Sequence, residues 1–190
     1  MKKQDDFIFG IRAVIEAIKS GREVDRVLLA NKPESQVIQE LFPLVRLHEI
    51  PFQYVPYERL NKITRKNHQG VVAFISSISY SPLEELVASA FEQGKDPRLL
   101  MLDQVSDVRN FGAIARSAEC MGFTGIVIPF KGAARINADA VKTSSGALVN
   151  LPVSRVSSME QALKYLKDSG LMIAAVTEKA ENYCFAENLS

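Results

Sequence analysis

The sequence predicts an α/β protein in two parts, and three observations carry that prediction. Runs rich in Val and Ile alternate with segments of helical periodicity, once over residues 1–76 and again over residues 98–190. A stretch that opens on turn residues and Pro82 and closes on Gly94 and Pro97 separates the two series. No apolar run approaches the roughly 18 residues that a membrane span needs. The expected organisation is a small α/β domain over 1–76, a linker over 77–97, and a domain over 98–190 whose parallel sheet is covered on both faces.

The elements follow in order. Ile11, Val14, Ile15 and Ile18 fall at helical spacing, and Gly21 stops that helix. Residues 25–30 (DRVLLA) read as a short strand. Residues 34–50 read as a helix broken or ended near Pro43, which lacks the N–H a helix interior uses. Residues 52–56 read as a brief strand and 57–64 as a short helix. Residues 70–78 (GVVAFISSI) read as a strand from their β-branched content. In the second part, strands are expected at 98–102 (RLLML), 125–129 (GIVIP) and 171–177 (LMIAAVT), and helices at 110–121 and 158–168.

Composition narrows the function. Hydrophobic residues make up 47% and charged residues 24%, the balance of a folded globular protein rather than a disordered one. The N-terminus carries Asp5 and Asp6 and no long apolar core, so it is not read as a signal peptide. Cys120 and Cys184 form neither a disulfide framework nor a zinc site, and a reduced, cytoplasmic protein is expected. His48 and His68 have no ligand-spaced partner, so no metal is expected. Residues 1–80 hold 12 Lys and Arg against 9 Asp and Glu, and residues 81–190 hold 11 against 13. That asymmetry permits a nucleic-acid contact in the first half.

The most informative stretch is LDQVSDVRNFGAIARSAECMGF, residues 102–123. An apolar run hands over to Asp103, Asp107, Arg109, Asn110 and Gly112, and then to a helix. Asn110 stands where an N-cap is expected. Arg116, four residues after Gly112, shares its face, and helical side chains lean toward the N-terminus. The guanidinium is therefore expected to reach back over bare Gly112 to the C-terminal edge of the sheet, where α/β proteins bind ligands. A helix N-terminus beside an arginine suits a phosphate. The plainer reading of the same residues is a cap, a packing contact and an ion pair of Arg116 with Asp103 or Asp107.

Three further segments stand out. Ser144, Ser145, Gly146 and Ala147 are too small to fill a core, so a helix, a subunit or a ligand approaches closely there. Thr177 ends an apolar run and points to the ligand edge. Arg59, Lys62, Arg65, Lys66 and His68 cluster before QGVV; they form either a solvated loop or a contact to backbone phosphates. No GxGxxG, Walker A, GxSxG or CxxC pattern is present, which removes the usual support for dinucleotide, nucleotide-triphosphate and hydrolase readings.

The stretch LDQVSDVRNFGAIARSAECMGFTGIVIP resembles the first signature of the SpoU-type (TrmH-like) RNA ribose 2′-O-methyltransferases of the SPOUT class, and KTSSGALVNLPV is similar to the next one. FIFGIRAVIEAI and HQGVVAFI resemble the N-terminal substrate-binding domain of members that act on large-subunit ribosomal RNA. The resemblance implies a trefoil-knot domain, methyl transfer from S-adenosylmethionine to a 2′-hydroxyl, most often of a guanosine, and a homodimer without metal or membrane. It places Asn110 and Arg116 in the active site. Beside it, the residues themselves assign Thr177 to the cofactor, and Arg59, Lys62, Arg65, Lys66, His68 and Arg109 to RNA. Val108 stands where the family often has proline. The chain stops at FAENLS, before two further signatures, so a fragment with an incomplete knot and no activity of its own is expected. The linker is expected to let the first domain hold RNA, ribosomal rather than transfer, while the second works on the ribose. The rivals are an RNA-binding module without catalysis and an unrelated α/β enzyme with a phosphate at the 110–121 helix.

Overall fold

The structure, a computed structural model, describes residues 7–177 and 179. The first domain is a four-stranded sheet in the order β1-β4-β2-β3, from β1 (Phe7–Phe9), β2 (Val24–Ala30), β3 (Phe52–Val55) and β4 (Val71–Ile75). β2 and β3 run parallel, while β4 is antiparallel to both β1 and β2. Alternation along β2 sends Val27 and Leu29 to one face and Leu28 and Ala30 to the other. The first face is covered by α1 (Ile11–Lys19) and α2 (Phe42–Leu47), the second by α3 (Tyr57–Ile63).

The helix expected over 34–50 becomes a π-helical turn, Val37–Leu41, running into α2. Pro43 explains it: its ring would collide with the carbonyl four residues back, and a widened turn relieves the clash. β1 is a strand the sequence reading missed, since three residues are too few to show a period.

The second domain holds three parallel strands in the order β5-β6-β7: β5 (Leu99–Met101), β6 (Gly125–Pro129) and β7 (Val153–Val156). One face packs against α5 (Val108–Cys120), α6 (Ala138–Thr143) and α7 (Ala147–Asn150) around Phe111, Ala115, Ile126, Ile128 and Leu148. The other face packs against α4 (Leu83–Glu92) and α8 (Met159–Asp168) around Leu83, Val87, Val127, Ala162 and Leu166. The stretch expected as a linker thus carries part of this core. Ser81 N–H donates to the Val153 carbonyl, and Tyr80 makes an isolated bridge to Val153.

One expectation is corrected here. Residues 171–177 are not a strand, and Met172, Ile173 and Val176 are exposed; with no ladder partner among the described residues, β-branched content cannot satisfy the backbone. Of the alternatives left open for 144–147, the structure shows a helix–helix contact: Ser144 is buried, and Ser145 and Gly146 both take positive φ to turn α6 into α7. The expected ends of the second domain, residues 178 and 180–190 with Cys184, lie outside the described residues. No helix among those described is long and apolar enough to cross a membrane.

Candidate functional site

The C-terminal ends of β5 and β6 open onto two loops, residues 102–107 and 130–136. Ala134 N–H donates to the Val105 carbonyl and ties them together. Gln104 takes φ 57° and Gly132 φ 85°, so both loops turn sharply at this rim. α5 starts from the first loop and is capped by Asp107, whose carboxylate accepts the Asn110 N–H at 2.8 Å. This corrects the expected cap: Asn110 is the third helical residue, not the cap. The signal was present, since Asp at N-cap precedes a first helical position where proline is favoured, the place Val108 fills.

The correction moves Arg116. It stands eight residues inside α5, about 12 Å along the axis at 1.5 Å per residue. It is farther from the loop than an Asn110 cap would put it. Gly112 is not a free window either. A Cβ there would meet the Ala140 carbonyl at 2.7 Å and Thr143 Cβ at 2.8 Å, so α6 occupies the space. The bare position serves close helix packing, and Arg116 lies beside that seam. Arg116, Arg109 and Asn110 are all exposed, and no ion pair of either arginine occurs among the described residues. Pairing of Arg116 with Asp103 or Asp107 is therefore not what the structure shows. Thr177 is exposed, and its hydroxyl accepts the Lys179 N–H at 3.3 Å. Among the described residues, three cavities, of about 640, 590 and 380 Å³, are lined by none of Asn110, Arg116 and Thr177.

The second cluster is at one end of the first domain. Arg59, Lys62, Arg65 and Lys66 are exposed on α3 and the loop after it. His68 departs from expectation: it is 1% exposed. Gly70 N–H donates to its Nδ1 at 3.1 Å, which leaves the hydrogen on Nε2 to meet Asn61 Oδ1 at 3.0 Å. Burial lowers its pKa from the ordinary value. The imidazole is a neutral strut inside the loop and touches no external phosphate.

That strut backs an aromatic the sequence reading passed over. Tyr57 is 48% exposed and its ring centroid lies 4.6 Å from that of His68. Folding brings further groups to the same end. The Gln69 side chain accepts the Ile11 N–H at 3.2 Å, capping α1 from 58 residues away. Asn31 N–H donates to the Val55 carbonyl, and Ala30 N–H to that of Gly70. Exposed Arg12, Asn31 and Lys32 therefore join Lys66, which lies over the Phe9 ring at 5.8 Å. Sequence alone gave no sign of this gathering, because it comes from strand order. An exposed aromatic on a fixed support, in a domain that also exposes these cations, can stack an unpaired base while they hold its backbone.

Exposed cations thus stand on both domains of a two-domain α/β frame, on α3 and its loop and on α5. Comparison with known proteins gives the family. Residues 97–189 match the SpoU rRNA Methylase family, and residues 7–81 match the domain described as RNA 2′-O ribose methyltransferase substrate binding. The chain is 33% identical over 180 residues to YacO of Bacillus subtilis, named as a TrmH family tRNA/rRNA methyltransferase, covering 95% of this chain and 72% of that one. A protein of the same description from Staphylococcus saprophyticus is 33% identical over 175 residues, covering 92% and 70%. The chain belongs to the SpoU/TrmH family of RNA methyltransferases. Among solved structures it is similar to AviRb of Streptomyces viridochromogenes in complex with AdoMet, at 21% identity and TM-score 0.42, covering 86% of this chain and 58% of that one. An AdoMet-bound rRNA methyltransferase of Sinorhizobium meliloti matches at 23% identity and TM-score 0.40, covering 85% and 57%. The chain thus spans 57% to 58% of those two solved chains.

Proposed function

We propose that this chain serves RNA ribose 2′-O-methylation with S-adenosylmethionine as donor, on a guanosine of 23S ribosomal RNA, in the cytoplasm and as a homodimer. The observation that carries the reading is Arg116: exposed, without an ion pair among the described residues, on α5, the helix that starts from the rim where β5 ends. Two matched family segments in chain order support it, and the first is named for 2′-O ribose substrates. Exposed Met172, Ile173 and Val176 offer apolar surface for a second subunit.

S-adenosylmethionine, when bound, supplies a methyl group on a sulfonium, activated for in-line displacement. The chain's own task is alignment of the ribose, which is worth about 7–11 kcal/mol in the best cases. Arg116 grips the phosphate beside the target ribose and stabilises negative charge growing on the 2′-oxygen. It does not take the proton, because a guanidinium stays charged. Asn110 and Arg109 orient the ribose and its backbone, and Thr177 faces the donor. Arg59, Lys62, Arg65 and Lys66 hold the RNA backbone, and Tyr57 stacks an unpaired base. His68 has only its structural part.

A second reading is favoured by the exposure of Thr177, which lines none of the three cavities: the described residues bind RNA while catalysis needs more. Calorimetry with S-adenosylmethionine on this chain separates the two, since only a binding heat supports a donor site within it. For the first reading, single-turnover methylation of a 23S ribosomal RNA transcript by Arg116→Lys is expected to fall at least tenfold, because lysine lacks the bidentate fork. An unchanged rate defeats it. The combined Lys62→Ala, Arg65→Ala, Lys66→Ala variant is expected to flatten the log-affinity against log-salt slope by about 2, at roughly 0.7 per single-stranded phosphate contact.

A further inference from the structure

One arginine that joins the two domains is seated in a strand defect. β2 pairs with β4 as Val24↔Ile75 and then Arg26↔Phe74, so Asp25 is the extra residue of a β-bulge. A bulge bends its strand and disturbs the ladder. Arg155, on β7 of the other domain, meets the carbonyls at this defect. Its Nη1 donates to the Asp25 carbonyl at 2.7 Å and its Nη2 to that of Val24 at 3.3 Å. Nη1 also lies 3.6 Å from Asp25 Oδ1. The guanidinium is stacked over the Tyr80 ring, 3.8 Å from its centroid, with the Phe130 centroid at 5.6 Å. The Tyr80 hydroxyl donates to Asp25 Oδ1 at 3.1 Å, which closes the cluster.

The chemistry is more specific than adhesion requires. Asp25 is 6% exposed and the Arg155 side chain 11%. An ion pair taken this far from water roughly breaks even against an apolar pair of the same volume, so stability alone does not account for it. What the pair supplies is direction. A planar fork that binds two successive carbonyls and lies flat on a ring admits one orientation, and a lysine or a leucine would admit many. Burial first, and then the Asp25 charge, push the Tyr80 phenol far above its ordinary pKa, so it remains a donor throughout the physiological range. A second contact lies along the same edge: the Arg135 guanidinium sits 4.3 Å from the Phe74 ring centroid, and Ser77 N–H donates to the Ile136 carbonyl. The two domains thus share a joint with two points of contact beside the stretch expected as a linker.

We propose that Arg155 is a positioning residue which, by filling the bulge at Asp25, fixes the angle between the two domains. It thereby sets the span from the basic end of the first domain to the α5 rim of the second, and so selects RNA whose held element and target ribose stand that distance apart. The selection of RNA rests on the proposed methyltransferase reading; the fixed angle does not.

The test measures the angle first. Spin labels are placed at Gln53→Cys, exposed on β3, and at native Cys120, exposed at the end of α5, with Cys184→Ser removing the other thiol. Pulsed-EPR distances are expected to form one narrow distribution. Arg155→Lys and Arg155→Met, which keep the charge or the packing stem without the fork, are expected to broaden it at least twofold while both retain native circular dichroism. A distribution as narrow as that of the parent in both variants overturns the joint, whatever the chain modifies. On a 23S ribosomal RNA transcript, the same variants are expected to lose at least tenfold in kcat with KM within twofold, since RNA is still held but the ribose is no longer presented. Broadened distances with an unchanged kcat overturn the span-setting role and leave the joint and the methyltransferase reading standing.

Discussion

The two basic sites are built in opposite ways. In the first domain, the cations of α3 and its loop stand on a frame that is finished internally: His68 and Gln69 tie the loop to α3, β4 and α1 through buried or half-buried hydrogen bonds. In the second domain, α5 carries Arg109 and Asn110 in its first turn and Arg116 farther along, all exposed, and its rigidity comes from the seam between α5 and α6. A polar network holds one site, and a backbone-to-backbone contact holds the other. Each design fails through a different substitution, which gives the comparison its tests.

The largest effect is expected at the seam. Gly112→Val would push side-chain atoms into the Ala140 carbonyl and the Ser144 N–H, groups that cannot swing aside. The helices must separate, at a cost of about 3 kcal/mol or more, the upper end for overpacking. Gly125→Ala is the control within the same domain. Its Cβ would meet Leu86 Cδ2 at 2.6 Å, a closer approach on paper, but to the end of a flexible side chain that can change rotamer. Urea unfolding of both variants checks this, with Gly125→Ala expected to lose clearly less stability. Equal losses would mean that the seam is not what holds the rim.

Next in size is the cap. Asp107→Ala is expected to cost about 1 kcal/mol, the usual value of an N-cap, and Asn110→Ala only a few tenths. Thermal unfolding separates the pair, and the reverse order would restore the cap read from the sequence.

This pair also shows where the sequence was legible. The periodicity of Ile11, Val14, Ile15 and Ile18 and the β-branched run Val71–Ile75 report burial directly, because a side chain's face follows from its position. The motif at 107–116 was visible as chemistry, but which polar residue begins the helix depends on backbone geometry that Asp and Asn satisfy equally well. Short pieces fared worse. β7 reads Val-Ser-Arg-Val, and its Ser154 and Arg155 look like surface, yet Ser154 is buried and Arg155 reaches into the other domain. His68 looked like one more cation in a basic run. Nothing local distinguishes it from Lys66, because its burial comes from Tyr57, Asn61 and Gly70 closing around it. Residues whose role is set by a distant partner carry no periodic signal.

The smallest effect is the pH dependence set by that histidine, which tests the first domain's network without removing it. Gly70 N–H needs an unprotonated Nδ1 as acceptor, and burial independently disfavours the imidazolium, so the folded pKa lies below the unfolded value of about 6.5. Between the two values the unfolded chain binds the proton and the folded chain does not. The stability of the folded state therefore rises with pH across that window and is lost as pH falls from about 6.5 toward the folded pKa. The difference in unfolding free energy between pH 7.5 and pH 5 is expected to shrink in His68→Gln, which keeps an amide donor near Asn61 but does not titrate. Above pH 7 the variant is expected to lose about 1–3 kcal/mol for the impaired Gly70 hydrogen bond, and proportionally less of it at pH 5, where the parent is itself weakened. If the two pH profiles run parallel, His68 is already charged in the folded loop. In that case the neutral strut behind Tyr57 is wrong, and the first domain's end is held by something other than this ring.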